Sequence, residues 1–89
     1  MKAVVTVVGK DRVGIIASVC VELAQYNVNV MDISQTVMQG YFTMMMVVDV
    51  SACAVPLAEL CKAMDAKGQE MGLSIRVQRE DIFEAMHRV

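Results

Sequence analysis

The chain changes periodicity across one short break near its N-terminus, and that break limits the folds open to it. Lys2 to Val8 is rich in β-branched valine and reads as a strand bounded by Gly9. From Val13 onward, Val13, Ile16, Ala17, Cys20, Leu23 and Ala24 recur at helical spacing. Between the two patterns lies Gly9-Lys10-Asp11-Arg12-Val13-Gly14-Ile15. A strand, a glycine-bounded turn and a helix start, in that order, bring free backbone N–H groups and the positive end of a helix dipole to one spot. Such a spot suits a carboxylate or another small anion. The spacing is neither the GxGxxG of dinucleotide binders nor the GxxxxGK[ST] of phosphate loops. Glycines also serve strand-to-helix turns for steric reasons alone. The residues therefore leave two readings open, a plain turn or a binding loop. Asp11 is expected to cap the helix as Ncap, with Gly14 at the third helical position.

The helix is expected to end near Tyr26-Asn27. Val28 to Gln39 is extended, Gln39-Gly40 marks a turn, and Tyr41 to Val50 is a second extended run, so the three segments read as a β-hairpin. After a connection over Ser51 to Val55, Pro56 fits the first turn of a helix, where its missing N–H costs nothing. Leu57, Leu60, Cys61, Met64, Gly68 and Met71 mark one face of that helix, and Glu59, Lys62, Asp65, Lys67 and Glu70 fill the other. Gly72 suits its C-terminal cap. Leu73, Ile75 and Val77 alternate with Ser74, Arg76 and Gln78, the pattern of a half-buried last strand. Asp81 to His87 reads as a short terminal helix with Ile82, Phe83 and Met86 on one face.

The order is β-α-β-β-α-β. With right-handed crossovers it predicts an α+β, ferredoxin-like fold: a four-stranded antiparallel sheet with two helices on one face and a short C-terminal helical tail. One domain is expected over residues 1–89, with its core at about 2–78 and the tail at 79–89. That tail is expected to dock on the domain or on a neighbouring subunit.

One sheet face is left bare by this arrangement. Strand three carries Met44 and Met46 on one side and Met45 and Val47 on the other, so both sides are apolar apart from Thr43 and Asp49. The chain is 56% hydrophobic, more than an 89-residue body hides easily, since a domain of this size buries only roughly 60% of its unfolded surface. A homodimer or higher even oligomer is therefore expected. Net charge is −2 without a basic cluster, which argues against nucleic acid and anionic membrane as partners. Cys20, Cys53 and Cys61 are odd in number, form no CxxC pair and read as small buried hydrophobes in a reducing, cytoplasmic setting. The N-terminal apolar run is broken by Thr6 and soon meets Lys10-Asp11-Arg12, unlike an export signal. The longest apolar run, Met44 to Val48, is too short to span a bilayer.

No catalytic constellation is recognisable. His87 is the only histidine and sits beside Glu84 and Arg88, as a solvated tail residue would. Ser18, Ser34, Ser51 and Ser74 lack a histidine in any recognisable motif. Strand one has no aromatic on which a base would stack, and strand three has only Tyr41 and Phe42 at its start. The chain is not expected to be an enzyme, and no metal or cofactor is expected.

The βαββαβ order, the Gly9–Ile15 turn and the segment Asn27-Val28-Asn29-Val30 together resemble an ACT domain. The resemblance runs from about Lys2 to Gln78. Asp32-Ile33-Ser34-Gln35-Thr36 with Gln39-Gly40, and Arg79-Glu80-Asp81-Ile82-Phe83 continuing to Met86-His87-Arg88, resemble the free-standing single ACT domains of prokaryotes. ACT domains are small regulatory modules that commonly dimerise and bind amino acids or similar metabolites. They hold ligand between the first strand-to-helix loop and the start of strand two, often across a dimer interface. The resemblance thus implies a ligand site at Gly9, Lys10, Asp11, Arg12, Val13 and Gly14, with Asn29 adding a polar side chain. Asp11 would then pair with an amine, or serve only as the helix cap. ACT domains are most often attached to an enzyme or a DNA-binding domain, and nothing of that kind is attached in this sequence, so the regulated protein is unnamed by it. An assembly module that binds no ligand is the alternative.

Overall fold

In a computed structural model, which describes residues 1–81, the six elements follow in the expected order. They are β1 (Lys2–Lys10), α1 (Ile15–Gln25), β2 (Asn29–Met38), β3 (Tyr41–Asp49), α2 (Leu57–Met71) and β4 (Ser74–Arg79). The strands form one sheet in the order β2-β3-β1-β4, antiparallel at every joint. Alternation along the strands sends Ala3, Val5 and Val7, Phe42, Met44, Met46 and Val48, and Ile75 to one face, where all are buried. Ile15, Val19 and Leu23 of α1 and Leu60 and Met64 of α2 meet them in a single core cluster. Both helices therefore cover the same face. Three of the central β3 positions are methionine or phenylalanine, side chains that fill an irregular helix–sheet gap.

Both helices close with the same left-handed device. Asn27 has φ 60°, and the Asn27 and Val28 N–H groups donate to the carbonyls of Ala24 and Leu23. Gly72 has φ 72°, and the Gly72 and Leu73 N–H groups donate to Gln69 and Gly68. This is the Schellman pattern. Half of the Asn27-to-Val30 motif thus serves to end α1, and Asn27 also donates its Nδ2 to the Ala52 carbonyl at 2.9 Å. Gly68 allows α2 to lie close on β4. A Cβ there would come within 2.7 Å of the Leu73 carbonyl oxygen.

The start of α1 departs from expectation. The helix begins at Ile15, and its N-cap is Gly14 in the left-handed region (φ 92°), with no side-chain cap. Asp11 is not the cap, and Gly14 is not the third helical residue. The reason is tertiary: the Asp11 N–H donates to the Gly40 carbonyl of the β2–β3 turn at 2.8 Å, so the chain is still extending the β1–β3 ladder where a cap would have to form. The cysteines also differ from the expectation of full burial. Cys20, Cys53 and Cys61 are free and half-buried. The expected helix over Asp81 to His87 and the docking of Ile82, Phe83 and Met86 lie beyond residue 81, outside the described residues.

The two faces and two edges are unlike. On the helix-free face Val8, Tyr41 and Met45 are exposed. Along β2 every residue from Met31 to Met38 is exposed, including Ile33 and Val37 on the helix side of the sheet, where α1 does not reach. A bulge interrupts β2 between Val30 and Asp32.

Candidate functional site

A cleft of ≈ 340 Å³ opens at the N-terminus of α1. Its floor is helical backbone and small or apolar side chains, from Gly14 to Ala17. Its far wall comes from the hairpin, with Gln35 and Val37 of β2 and the buried Phe42 of β3, while Asp11 and Arg12 form the rim. The sheet register explains this meeting. Gly9 pairs with Phe42 across β1–β3, and Phe42 pairs with Val37 across β3–β2, so the end of β1 and the end of β2 lie level.

The chemistry of the cleft is that of an uncapped helix end. The first bond inside α1 runs from the Ser18 N–H to the Gly14 carbonyl at 2.9 Å. The N–H groups of Ile15, Ile16 and Ala17 precede it and have no intrahelical acceptor. No acidic residue lies in the first turn and no side chain caps it. The positive end of the dipole is therefore unneutralised beside Gln35, whose amide can both donate and accept. Such a pocket can hold a small carboxylate by backbone N–H groups, while the Asp11 carboxylate at the rim can take an ammonium group.

The residues expected at the site divide into distinct jobs. Gly9 and Lys10 belong to β1 and pair with Phe42 and Tyr41. A Cβ on Gly9 would meet Leu73 Cδ2 at 2.4 Å, so this glycine serves packing against the α2–β4 turn. Arg12 donates from Nη2 to the Met71 carbonyl at 2.6 Å, closing a carbonyl at the C-terminal end of α2. Val13 is fully exposed at 102%. A Cβ on Gly14 would find no protein atom within 4 Å, so within the chain what demands glycine there is its positive φ rather than packing. A bulky residue at Gly14 would therefore strain the backbone as well as alter the cleft.

Asn29 lies at the opposite end of the sheet. It pairs with Asp49, which pairs in turn with Lys2. From Asn29 to Val37 the strand rises roughly 25 Å. Within one chain Asn29 does not reach the cleft. The Asp49 carboxyl beside it accepts the Ser51 N–H at 2.9 Å and lies 3.8 Å from the N-terminal amine. It is held below the ordinary carboxylate range, chiefly by the Ser51 hydroxyl and then by that N–H. Gln35 and Phe42 were not among the expected site residues. Counting back from the Gln39-Gly40 turn pairs Phe42 with Val37, and that count would have found them.

A second depression, of ≈ 460 Å³, lies along α2 and β4. Leu57, Cys61 and Val77 wall it, and its cation Arg79 is paired with Asp81 at 3.0 Å. Burial pushes the Cys61 thiol up from its ordinary value, which makes it a poor nucleophile. Among the described residues no group of His, Cys, Asp and Glu is arranged to hold a metal ion. Among them, too, no helix is long and apolar enough to cross a membrane.

Comparison with known proteins gives one consistent picture. The sequence profile of the ACT domain matches residues 2–78. A UPF0237 protein of Listeria innocua is 49% identical over 89 residues, covering all of both chains. An ACT domain protein from Streptococcus pneumoniae superposes with a TM-score of 0.83 at 46% identity, covering 98% of each chain. The regulatory subunit of aspartate kinase from Thermus thermophilus shares the fold, with a TM-score of 0.66 at 24% identity over 86% of this chain and 50% of that one.

Proposed function

We propose that this chain, which belongs to the ACT domain family, binds a small carboxylate, an amino acid in the first instance, and as a homodimer regulates a partner protein without catalysing a reaction. The observation that carries this reading is the open N-terminus of α1. Gly14 to Ala17 line a cleft of ≈ 340 Å³, and this first turn has neither a side-chain cap nor an acid. A helix N-terminus favours an anion by about 0.3–1 kcal/mol, rising to about 2 where partly buried. Charged hydrogen bonds add about 1.5–3 kcal/mol each before entropy costs. Those magnitudes fit micromolar to millimolar affinity, as a metabolite sensor needs. Asp11 would hold the ammonium group, and Gln35 joins Gly14 in the site.

The homodimer follows from the same geometry. β2 is an open edge with exposed apolar side chains at Met31, Ile33, Val37 and Met38. If two copies pair antiparallel along β2, with the two-fold axis near Ile33 and Ser34, the partner subunit's Asn29 comes level with Val37 to Gln39. The loop of one chain and the strand-two start of the other then line one site. This joins residues that a single chain holds roughly 25 Å apart. The setting proposed is the cytoplasm.

The reading of a ligand-free assembly module is favoured by a different observation. Arg12 bonded to Met71 and Gly9 packed on Leu73 explain much of the loop by internal contacts alone. A thermal-shift screen over the twenty amino acids separates the two. At about 100 times its dissociation constant, a ligand specific for the folded chain adds ~2.7 kcal/mol, a clear rise in Tm. A Tm unmoved by every amino acid would leave the assembly module standing.

A further inference from the structure

The β2 edge carries its own obstacle to pairing. Gln39 (φ 52°) and Gly40 (φ 81°) form a two-residue turn with both φ angles positive, as a type I′ hairpin requires. In such a hairpin the flanking residues, Met38 and Tyr41, form a hydrogen-bonded pair, and the pairs alternate from there along the ladder. Val37, Gln35 and Ile33 therefore stand in the non-bonded pairs, opposite Phe42, Met44 and Met46. Their N–H and C=O groups point away from β3 to the open edge. One of these three donors is already taken: the Ile33 N–H donates to Asp32 Oδ1 at 2.9 Å. Asp32 follows the bulge that breaks the register between Val30 and Asp32. Bulges and edge charges are the devices by which sheets discourage strand addition.

We propose that Asp32 is a gate on self-association. Its carboxylate must release the Ile33 N–H before a second copy of this chain pairs centrally along β2. The proposal rests on the β2–β2 homodimer described above. In a register centred on Ile33 or Ser34, the Ile33 N–H becomes a donor to the other copy, and the partner subunit's Asn29 comes level with the end of β2 that walls the α1 cleft. In a register centred on Thr36, Ile33 is left outside the joint and Asp32 keeps its bond. That second register carries the partner subunit's Asn29 past the hairpin turn and away from the cleft. The state of one side chain thus decides both the strength of the dimer and whether its two sites are complete.

The test compares the full-length chain with Asp32→Ala and Asp32→Asn by sedimentation equilibrium, with melting curves as a check on folding. Alanine removes the acceptor, while asparagine keeps an amide oxygen in its place. Two gates are removed per dimer, so Asp32→Ala is expected to tighten the dissociation constant about tenfold. Asp32→Asn is expected to stay within about twofold of wild type. Equal or weaker association of Asp32→Ala would overturn the gate, and would do so with the homodimer reading intact if wild type still dimerises. Tightening by Asp32→Asn equal to that of alanine would also overturn it, since charge repulsion alone would then be the cause. A monomeric wild type beside a dimeric Asp32→Ala would uphold the gate and defeat the native homodimer. Monomers throughout would defeat both.

Discussion

The two helices begin in opposite ways. α2 starts behind Pro56, which has no N–H to satisfy, and the Glu59 N–H is taken by the Pro56 carbonyl at 2.9 Å. Glu59 also puts a negative charge into that first turn. α1 starts behind a left-handed glycine, with no acid in its first turn and no side-chain cap. The start of α2 is internally settled, and the start of α1 is left with neither a side-chain cap nor a neutralising acid. A fold with two strand-to-helix junctions has neutralised one of them and left the other open, and the proposed anion site is at the open one.

The largest way to break this contrast is at the glycine. Gly14→Ala forces a non-glycine residue to φ 92°, and we expect a loss of about 1–2 kcal/mol in urea denaturation. Pro56→Ala, at φ −58°, should cost well under 1 kcal/mol. Equal losses would mean that α1 does not depend on its left-handed start. Next comes the tie between the loop and the far end of α2. Arg12→Ala removes the bond to the Met71 carbonyl, an exposed contact, and should cost about 0.5–1 kcal/mol. It should also speed amide exchange at Gly72 and Leu73. Unchanged exchange there would show that the α2–β4 turn holds itself.

The smallest effects sharpen the contrast by exchanging the two ends. Ala17→Glu gives α1 the first-turn acid that α2 already has. It should stabilise the chain by about 0.3–1 kcal/mol at low salt, with the gain shrinking as salt is added. Glu59→Gln should lose a similar amount. If Ala17→Glu destabilises instead, the α1 end is not the unneutralised dipole described above.

What the sequence made legible was local in origin. The α2 stripe from Leu57 to Met71 and the glycine that ends it follow from 3.6-residue spacing and a residue suited to positive φ. The Gln39-Gly40 turn set the hairpin, and the hairpin set the register. What stayed hidden was decided by distant residues. Asp11 has the chemistry of a cap, yet its backbone extends the β1–β3 ladder to Gly40. Arg12 was expected in the ligand loop, and its hydrogen-bond partner, the Met71 carbonyl, lies 59 residues away. Asn29 belongs to a resemblance that describes a site built by two chains, and no periodicity within one chain places it near Gly14.

The proposed ligand site is the open end of α1 and not that of α2. An amide NMR titration with the twenty amino acids tests this most directly. At least one amino acid is expected to shift the amides of Ile15, Ile16, Ala17 and Gln35 in a saturable way, leaving those of Leu57 to Leu60 in place. Ala17→Glu should weaken that titration. Saturable shifts confined to the start of α2, or none at the start of α1 with any amino acid, would contradict the claim.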